Sequence, residues 1–284
     1  MRDRNKQNRL VRLVFFTALV CLNIPVRAAE LKKETIAAWD KYVRLSQDRI
    51  ASELCSAQGF LVRDFLPGEN PADSRAALRR GEILVKEMQC HDSGGAAVSM
   101  SYGIIHHWLG SVFIPDANLD DILVHVRHTG AKDHRQEDVL ESRVLSRDGN
   151  SMHIYLKLTR SKIVTVAYNT EHLVQYHKHD DQRASSSSTS LRIAELDHAN
   201  TIAEKEKPEG MDSGFLWRLN SYWRYEQAPG GVFIECESIS LSRGIPFGLS
   251  PIVRPIINRI ARESMARTLR ATRERFSNRR NAGT

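Results

Sequence analysis

The segment FLWRLNSYWRYEQAPGGVFIECESISLSR, residues Phe215–Arg243, contains two strand-length stretches on either side of a tight turn. The turn, Ala228-Pro229-Gly230-Gly231, has the composition typical of a hairpin connection. Symmetric pairing about this turn places Arg224 opposite Glu235 and predicts that the aromatic face of the first strand points inward. That face holds Trp217, Leu219, Ser221, Trp223 and Tyr225, whereas the polar face holds Arg218, Asn220, Tyr222 and Arg224.

The returning strand adds two carboxylates to the polar face of the hairpin. One side of this strand carries Val232, Ile234 and Cys236, and the other carries Phe233, Glu235 and Glu237. The glutamates and two arginines of the first strand are predicted to form an ion-pair ladder on the outer face of the sheet. If this face lines a cavity instead, the same residues form a polar anchor for an amphipathic ligand, since buried charges need partners. The set consists of Arg218, Arg224, Glu235 and Glu237.

A long amphipathic helix is predicted after the hairpin, from about Ser250 to Phe276. Apolar or small residues recur along one stripe, and arginines occupy the other sides. The stripe consists of Val253, Ile257, Ile260, Ala261, Met265, Leu269 and Phe276. A curved antiparallel sheet closed by this helix would form a container for an apolar molecule. The arginine-rich side is either a solvated basic face or a surface for weak contact with anionic membranes.

The sequence before the hairpin predicts further elements of the same architecture. Helices are predicted at Thr35–Leu54, from Asp73 or Ser74 to Arg80, and through Leu119, Ile122, Leu123 and Val126. Strands are predicted at Glu82–Met88 and Ala97–Phe113, and a period of two continues from Val139 to His177. The serine run Ser185–Ser190 could suggest a catalytic nucleophile, but no Gly-x-Ser-x-Gly elbow surrounds it, and a flexible edge segment is favoured.

Two histidine pairs are candidates for chemistry. His106 and His107 are adjacent on a predicted strand and therefore point to opposite faces. One of them can face a cavity beside Trp108 and act as a general base, although a structural histidine is the more common case. His177 and His179 have the spacing of metal ligands next to two aspartates, but a solvated strand end is favoured here. Neither a metal nor a cofactor is predicted.

The first 28 residues have the composition of an export signal. A basic beginning precedes the apolar run Val14–Val20, and Val26-Arg27-Ala28 fits the end of a cleaved segment. The net charge is +7, from 41 basic and 34 acidic residues; removal of residues 1–28, with six basic residues and one acidic residue, leaves +2. The charge therefore indicates no nucleic-acid partner, and a periplasmic or secreted location is predicted. Whether Cys55 and Cys90 form a disulfide is left open.

The order of elements resembles the START-like helix-grip fold, also called the polyketide-cyclase or SRPBCC superfamily, over roughly residues 80–278. The pattern is similar to that of uncharacterised exported bacterial members. It consists of His106-His107-Trp108-x-Gly110, Ile114-Pro115, the residues from Gly214 to Trp223 and those from Glu235 to Pro246. The resemblance implies an α+β fold whose curved antiparallel sheet wraps around the C-terminal helix. The expected parts are a signal peptide (1–28), a helical N-terminal extension (29–80), the helix-grip domain (81–278) and a disordered tail (279–284).

The resemblance also implies a cavity between the sheet and the C-terminal helix, in which members bind lipids, sterols, polyketides or other hydrophobic molecules. The first hypothesis is an exported, non-catalytic carrier for a hydrophobic small molecule or lipid. Its ligand-binding residues would be Trp108, Trp217, Leu219, Trp223, Tyr225, Ile234, Ile257, Ile260 and Met265. One alternative is a cyclase or hydrolase that uses His106 or His107 with a nearby carboxylate. Another is a structural or interaction protein of the cell envelope whose core is filled by its own side chains.

Overall fold

The computed structural model describes residues 31–92, 94–128, 138–161, 165–245 and 250–281. The predicted signal peptide and the last residues of the predicted tail lie outside the described residues. The helices are α1 (Lys33–Leu54), a 3-10 helix (Val62–Phe65), α2 (Pro71–Arg79), α3 (Leu119–His128) and α4 (Ser250–Asn281). The strands are β1 (Leu84–Glu87), β2 (Gly103–Pro115), β3 (Val139–Asp148), β4 (Ser151–Ser161), β5 (Thr165–Lys178), β6 (Arg183–Asp197), β7 (Lys205–Glu206), β8 (Arg218–Ala228) and β9 (Gly231–Arg243).

The nine strands of the described chain form one antiparallel sheet in the order β1-β2-β9-β8-β6-β5-β4-β3, with β7 paired to β6. The predicted hairpin forms β8 and β9 in the interior of this sheet, and Arg224 lies opposite Glu235 as predicted. The first strand begins at Arg218 rather than at Phe215. The expected α+β architecture, a curved sheet with a long C-terminal helix, is confirmed.

The turn between β8 and β9 depends on glycine. Pro229 and Gly230 are its central residues, and φ of +83° at Gly230 is the conformation that a type II turn requires. Gly231 follows with φ of +151°, and a Cβ at this position would lie 2.2 Å from the carbonyl oxygen of Ile114. The end of β2 can therefore pair closely with β9 only because residue 231 has no side chain.

Different parts of the chain cover the two faces of the sheet. On one face, which we call the helix face, α4 packs against β1 and β2, and α3 joins the same apolar core. The contact with α4 is close, because a Cβ on Gly110 would lie 2.6 Å from side-chain atoms of both Met265 and Leu269. On the other face, which we call the extension face, α1, the 3-10 helix and α2 cover the strands. The N-terminal extension thus completes a second core on the far side of the sheet.

Apolar side chains of the extension bury the ends of β2 and β9. One cluster joins helix α1 to the strands through Trp39, Tyr42, Ile50, Trp217, Tyr222, Ile239 and Leu241. A second cluster joins the 3-10 helix and α2 to them through Phe60, Leu61, Leu78, Phe113 and Phe233. Because these strand residues are buried on the extension face, residues 31–80 are part of the packed structure.

The stripe predicted on the C-terminal helix is partly buried on the helix face. Met265 and Leu269 are buried, and Ala261 and Phe276 pack against the same core. α4 continues to Asn281, three residues into the segment predicted to be disordered. Among the described residues, no helix has the length and hydropathy needed to span a membrane.

Candidate functional site

Charged side chains of the central hairpin are confined to the extension face. Because β8 and β9 alternate regularly and are in register, all of their acidic and basic residues share that face. These residues are Arg218, Arg224, Glu226, Glu235, Glu237 and Arg243. The helix face of the same two strands therefore carries no charge.

Serine hydroxyls occupy the middle of this uncharged helix face. Ser188 on β6 lies opposite Ser221 on β8, which in turn lies opposite Ser238 on β9. One step along the strands, Leu219 lies opposite Ser240, and its backbone N–H donates to the Ser190 hydroxyl at 3.0 Å. The serines of both rows are half-buried, which leaves their hydroxyls within reach of a ligand.

The serine run was predicted to be a flexible edge segment, and that prediction is wrong. Residues Ser185–Ser190 belong to β6, which pairs with β5 on one side and with β8 on the other. Serine has little intrinsic preference for strands, but pairing with two neighbouring strands satisfies the backbone hydrogen bonds of the run. The run thus forms an interior part of the sheet and contributes Ser186, Ser188 and Ser190 to the helix face.

Two histidines lie on either side of the serine rows. His106 on β2 has its Nε2 2.9 Å from the Ser242 hydroxyl. His172 on β5 has its Nε2 3.1 Å from the Thr170 hydroxyl and its Nδ1 3.4 Å from the Ser188 hydroxyl. Burial lowers the pKa of each imidazole to about 4. Both rings are therefore neutral near pH 7 and add hydrogen-bonding capacity without charge.

Most of the predicted ligand-binding residues lie on or beside the helix face. Trp223 is half-buried, stacks on Tyr225 with ring centroids 6.4 Å apart, and donates its indole N–H to the Ser221 hydroxyl at 3.3 Å. Trp108, Tyr225, Ile234 and Met265 are buried in the helix-face core, and Ile257 and Ile260 are half-buried on α4. Leu219 and Trp223 thus offer apolar surface next to the serine hydroxyls.

Trp217 does not belong to this group, which corrects the prediction made from alternation. It is buried in the extension-face cluster with Trp39 and Tyr42. Its indole N–H donates to an Asp212 carboxylate oxygen at 2.9 Å. The physical reason is that Trp217 precedes Arg218, the first residue of the β8 ladder, so strand alternation does not fix its direction.

The four residues of the predicted polar anchor are also on the extension face, and the N-terminal extension buries three of them, Arg224, Glu235 and Glu237. Arg224 is 2 % exposed and donates to the Glu53 carboxylate at 2.5 Å and to the Phe60 carbonyl at 2.8 Å. Its ion partner is thus a residue of α1 rather than the cross-strand neighbour Glu235. Arg218 donates to the Trp217 carbonyl at 2.9 Å. The four residues therefore form neither a solvated ion-pair ladder nor a polar anchor in a cavity.

The two glutamates of β9 have separate partners under the extension. Glu237 is 1 % exposed, and it accepts hydrogen bonds from Arg49 of α1 and from His107, whose Nε2 lies at 2.6 Å. Glu235, also 1 % exposed, accepts from the backbone N–H of Val62 and from the Ser111 hydroxyl at 2.9 Å. These contacts connect the extension to the sheet through buried carboxylates.

His106 and His107 point to opposite faces, as predicted, but neither forms on the helix face the histidine–carboxylate pair of the alternative enzyme hypothesis. His107 has a carboxylate partner in Glu237, and its Nδ1 lies 2.8 Å from the Tyr42 hydroxyl, yet this group is buried under α1. His106 faces the helix side, where its side-chain partner is the hydroxyl of Ser242. Of these two histidines, the one on the helix face has no carboxylate partner among the residues that the structure describes, and the one with a carboxylate partner is on the extension face.

Burial and hydrogen bonding shift the pKa values of the two glutamates in opposite directions. Burial raises the pKa of Glu235 to about 7, despite opposing contributions from Ser111, Arg224 and Arg63. Burial alone would also raise the pKa of Glu237, but His107 and Arg49 outweigh this and hold it at about 2. Stability from Glu237 is therefore present above the ordinary pKa of 4.5 and is lost as the pH falls through 2.

Glu235→Gln is expected to remove a pH dependence of stability between pH 4.5 and pH 7. Because the pKa of Glu235 is raised in the folded chain, proton binding by this residue stabilises the fold. This contribution to the free energy of unfolding is complete below pH 4.5 and is lost as the pH rises through 7. Urea unfolding at pH 5 and pH 7.5 should show the wild type losing roughly 2–3 kcal/mol more than the variant. Equal pH dependence of the two proteins would exclude a protonated Glu235 in the folded state.

Arg224→Met is expected to destabilise the fold far more than Arg218→Met, although both arginines lie on the same face of β8. The first change removes the buried ion pair with Glu53 and the hydrogen bond to the Phe60 carbonyl, at a cost of about 3 kcal/mol, since Glu53 keeps Arg49 as a partner. The second removes a half-buried side chain that bonds the Trp217 carbonyl, and it should cost about 1 kcal/mol. Chemical denaturation measures both, and similar losses would contradict the role given to the buried pair.

The metal-like spacing of His177 and His179 and the pair Cys55 and Cys90, whose bonding was left open, form no site in the described part of the chain. His179 has its Nε2 2.8 Å from the Ser185 hydroxyl, and no group of three His, Cys, Asp or Glu side chains there could hold a metal ion. Cys55, Cys90 and Cys236 are free thiols, exposed, half-buried and buried respectively. The structure thus contains no Cys55–Cys90 bridge.

The order of elements, with α4 packed on one face of a curved antiparallel sheet, defines a START-like helix-grip fold. No protein-family model and no curated protein matches the sequence. Similar solved structures include the Zhui aromatase/cyclase from Streptomyces sp. R1128 (8% identity, 62% of this chain, 96% of that chain, TM-score 0.44). Another is a START superfamily protein from Mycobacterium smegmatis (10% identity, 63% of this chain, 99% of that chain, TM-score 0.40). A third is a STAR-related lipid transfer protein from Xanthomonas axonopodis (16% identity, 64% of this chain, 97% of that chain, TM-score 0.39).

Proposed function

We propose that this chain is an exported carrier that binds a hydrophobic small molecule or lipid on the helix face, beside α4, without catalysing a reaction. The observation that carries the proposal is the segregation of charge in β8 and β9, whose acidic and basic residues all lie on the extension face. Export is supported by the composition of residues 1–28, with release near Ala28 into the periplasm or the medium.

An uncharged face favours an apolar ligand for a simple energetic reason. An apolar molecule that covers a charged side chain removes its hydration without replacing it, which is costly. On the helix face, covering Leu219 and Trp223 instead buries apolar surface and gains roughly 25 cal/mol per Å². Because both side chains are only half-buried in the folded chain, a ligand can still gain this free energy by covering their exposed surface.

A carrier role is favoured over catalysis by the surroundings of the two helix-face histidines. Both His106 and His172 have serine or threonine hydroxyls as hydrogen-bond partners. Burial lowers the pKa of each to about 4, so each ring is a weak base near pH 7. The exposed arginines of α4, including Arg254, Arg262 and Arg270, support weak contact with anionic membranes as part of the same proposal.

Uptake of an apolar probe by the purified protein tests the proposal. We expect saturable binding of an uncharged, fluorescently labelled acyl lipid, and competition by unlabelled lipid. Mass spectrometry of an organic extract of the same preparation should show a co-purifying hydrophobic compound at a fixed ratio to protein. Absence of saturable uptake across a broad panel of fatty, sterol and polyketide probes would refute a carrier role.

A further inference from the structure

We infer that the ligand is an uncharged amphiphile whose hydroxyl groups hydrogen-bond to Ser238 and Ser240 on β9. The inference rests on the proposed function, and it specifies the chemical class that the helix face selects. The apolar part of such a ligand would cover Leu219 and Trp223, while its hydroxylated end would lie over the serine rows. Charged head groups would be rejected.

The first observation concerns hydrogen bonds that the chain itself leaves unmade. The hydroxyls of Ser188, Ser190, Ser221 and Ser242 each have a partner within the protein. Within the described ranges of the chain, Ser238 and Ser240 have none, although both are half-buried. Neither hydroxyl is among the buried polar atoms that lack a partner, so both are still accessible to water. A ligand that covers them must replace the hydrogen bonds of the displaced water, and hydroxyl groups do so whereas hydrocarbon does not.

The second observation is the position of these two serines in the sheet. Ser238 lies between Trp108 on β2 and Ser221 on β8, and Ser240 lies between His106 and Leu219. Interior strands normally place apolar or β-branched side chains on a face that packs against helices. Here two adjacent inward positions are serine, and each is bordered by a large side chain on one side or the other. The arrangement offers donors and acceptors next to apolar surface.

The third observation is the absence of counter-charges on the helix face of the hairpin. An anionic or cationic head group placed over Ser238 and Ser240 would lose its hydration without gaining an ion partner from β8 or β9. The titratable side chains that flank the serine rows on other strands are His106 on β2 and His172 on β5, and both rings are neutral near pH 7. The charge of Arg254 on α4 contributes to the lowered pKa of His106, but the Arg254 side chain is exposed to solvent. Neutral hydroxyls are therefore the better match.

Three probes with one oleoyl chain separate these possibilities. They are 1-monooleoylglycerol, its derivative with both hydroxyls methylated, and oleate. Calorimetric or competition titrations should give monooleoylglycerol the lowest Kd, with both other probes about tenfold weaker or more. The double variant S238A/S240A should weaken monooleoylglycerol about tenfold and leave the methylated derivative within about twofold. The matched control is S187A, a serine removal on the opposite face of β6.

The outcomes distinguish the inference from the function on which it rests. Equal binding of all three probes, with no effect of S238A/S240A, would support a carrier but overturn the inferred ligand class. Oleate binding more tightly than monooleoylglycerol would also overturn it and would indicate recognition by an arginine such as Arg254. Failure of these three probes, together with saturable uptake of a sterol or polyketide probe, would overturn the inferred ligand class but not the carrier role. Failure of the whole panel would refute both proposals. A loss caused equally by S187A would show that the serine effect is not specific to the helix face.

Discussion

A chain that lacks residues 31–80 is expected not to fold cooperatively. Removal of the extension exposes the apolar side chains of Phe113, Phe233, Ile239 and Leu241, which α1, α2 and the 3-10 helix bury. It also deprives Arg224 and Glu237 of Glu53 and Arg49. Exposing a buried Phe, Ile or Leu side chain loses about 1.5–3 kcal/mol, so these four apolar residues together lose roughly 6–12 kcal/mol, which is comparable to the total stability of an average domain, about 5–15 kcal/mol.

Thermal and urea unfolding, followed by near-ultraviolet circular dichroism, measures this effect. The control is the chain that begins at Leu31, which lacks the predicted signal segment but keeps the whole extension. We expect a sharp transition for the control and a broad or absent transition, with aggregation, for the truncated chain. A truncated chain with a cooperative transition and an unchanged near-ultraviolet spectrum would show that the extension is an independent appendage.

Ser221→Trp is expected to abolish binding of an uncharged acyl lipid while the fold is retained. Ser221 is half-buried in the centre of the helix face, between Ser188 and Ser238. An indole at this position would cover the surface offered by Leu219 and Trp223, and tryptophan is well tolerated in strands. Because the ligand would then have to displace a packed side chain, the Kd should rise by about 100-fold or more.

The control for this change is Ser146→Trp, which adds the same side chain at an exposed position of β3. Both variants should show the melting temperature of the wild type to within a few degrees. Retention of binding by Ser221→Trp, with a stable fold, would place the ligand elsewhere. Equal loss in both variants would indicate an unspecific effect of the added indole.

Strand alternation correctly predicted which residues of the hairpin share a face. It placed Arg224 opposite Glu235, separated His106 from His107, and put Trp223 and Tyr225 on the inward side. These results follow from local geometry, because a period of two and a Pro-Gly turn leave little freedom in the register. The failure at Trp217 has the same origin, since the rule applies only after the ladder begins at Arg218.

What alternation could not predict is which element covers each face. The polar side of β8 and β9 was expected either to meet solvent or to line a cavity, and it is instead buried by α1. The only signal in the sequence was that α1 itself carries Arg49 and Glu53 near Trp39 and Tyr42. Their pairing with Glu237 and Arg224 spans more than 170 residues, and spacing along the chain contains no information on such a contact.

Photo-cross-linking tests the central claim, that the helix face beside α4 holds an uncharged apolar ligand. The probe is monooleoylglycerol with a diazirine in the acyl chain, and cross-linked residues are assigned by peptide mass spectrometry. We predict labelling of Leu219, Trp223 and α4 residues near Met265, suppressed by excess unlabelled monooleoylglycerol. Labelling of α1 or of the extension face that unlabelled monooleoylglycerol suppresses, with the helix face unlabelled, would contradict a ligand site beside α4.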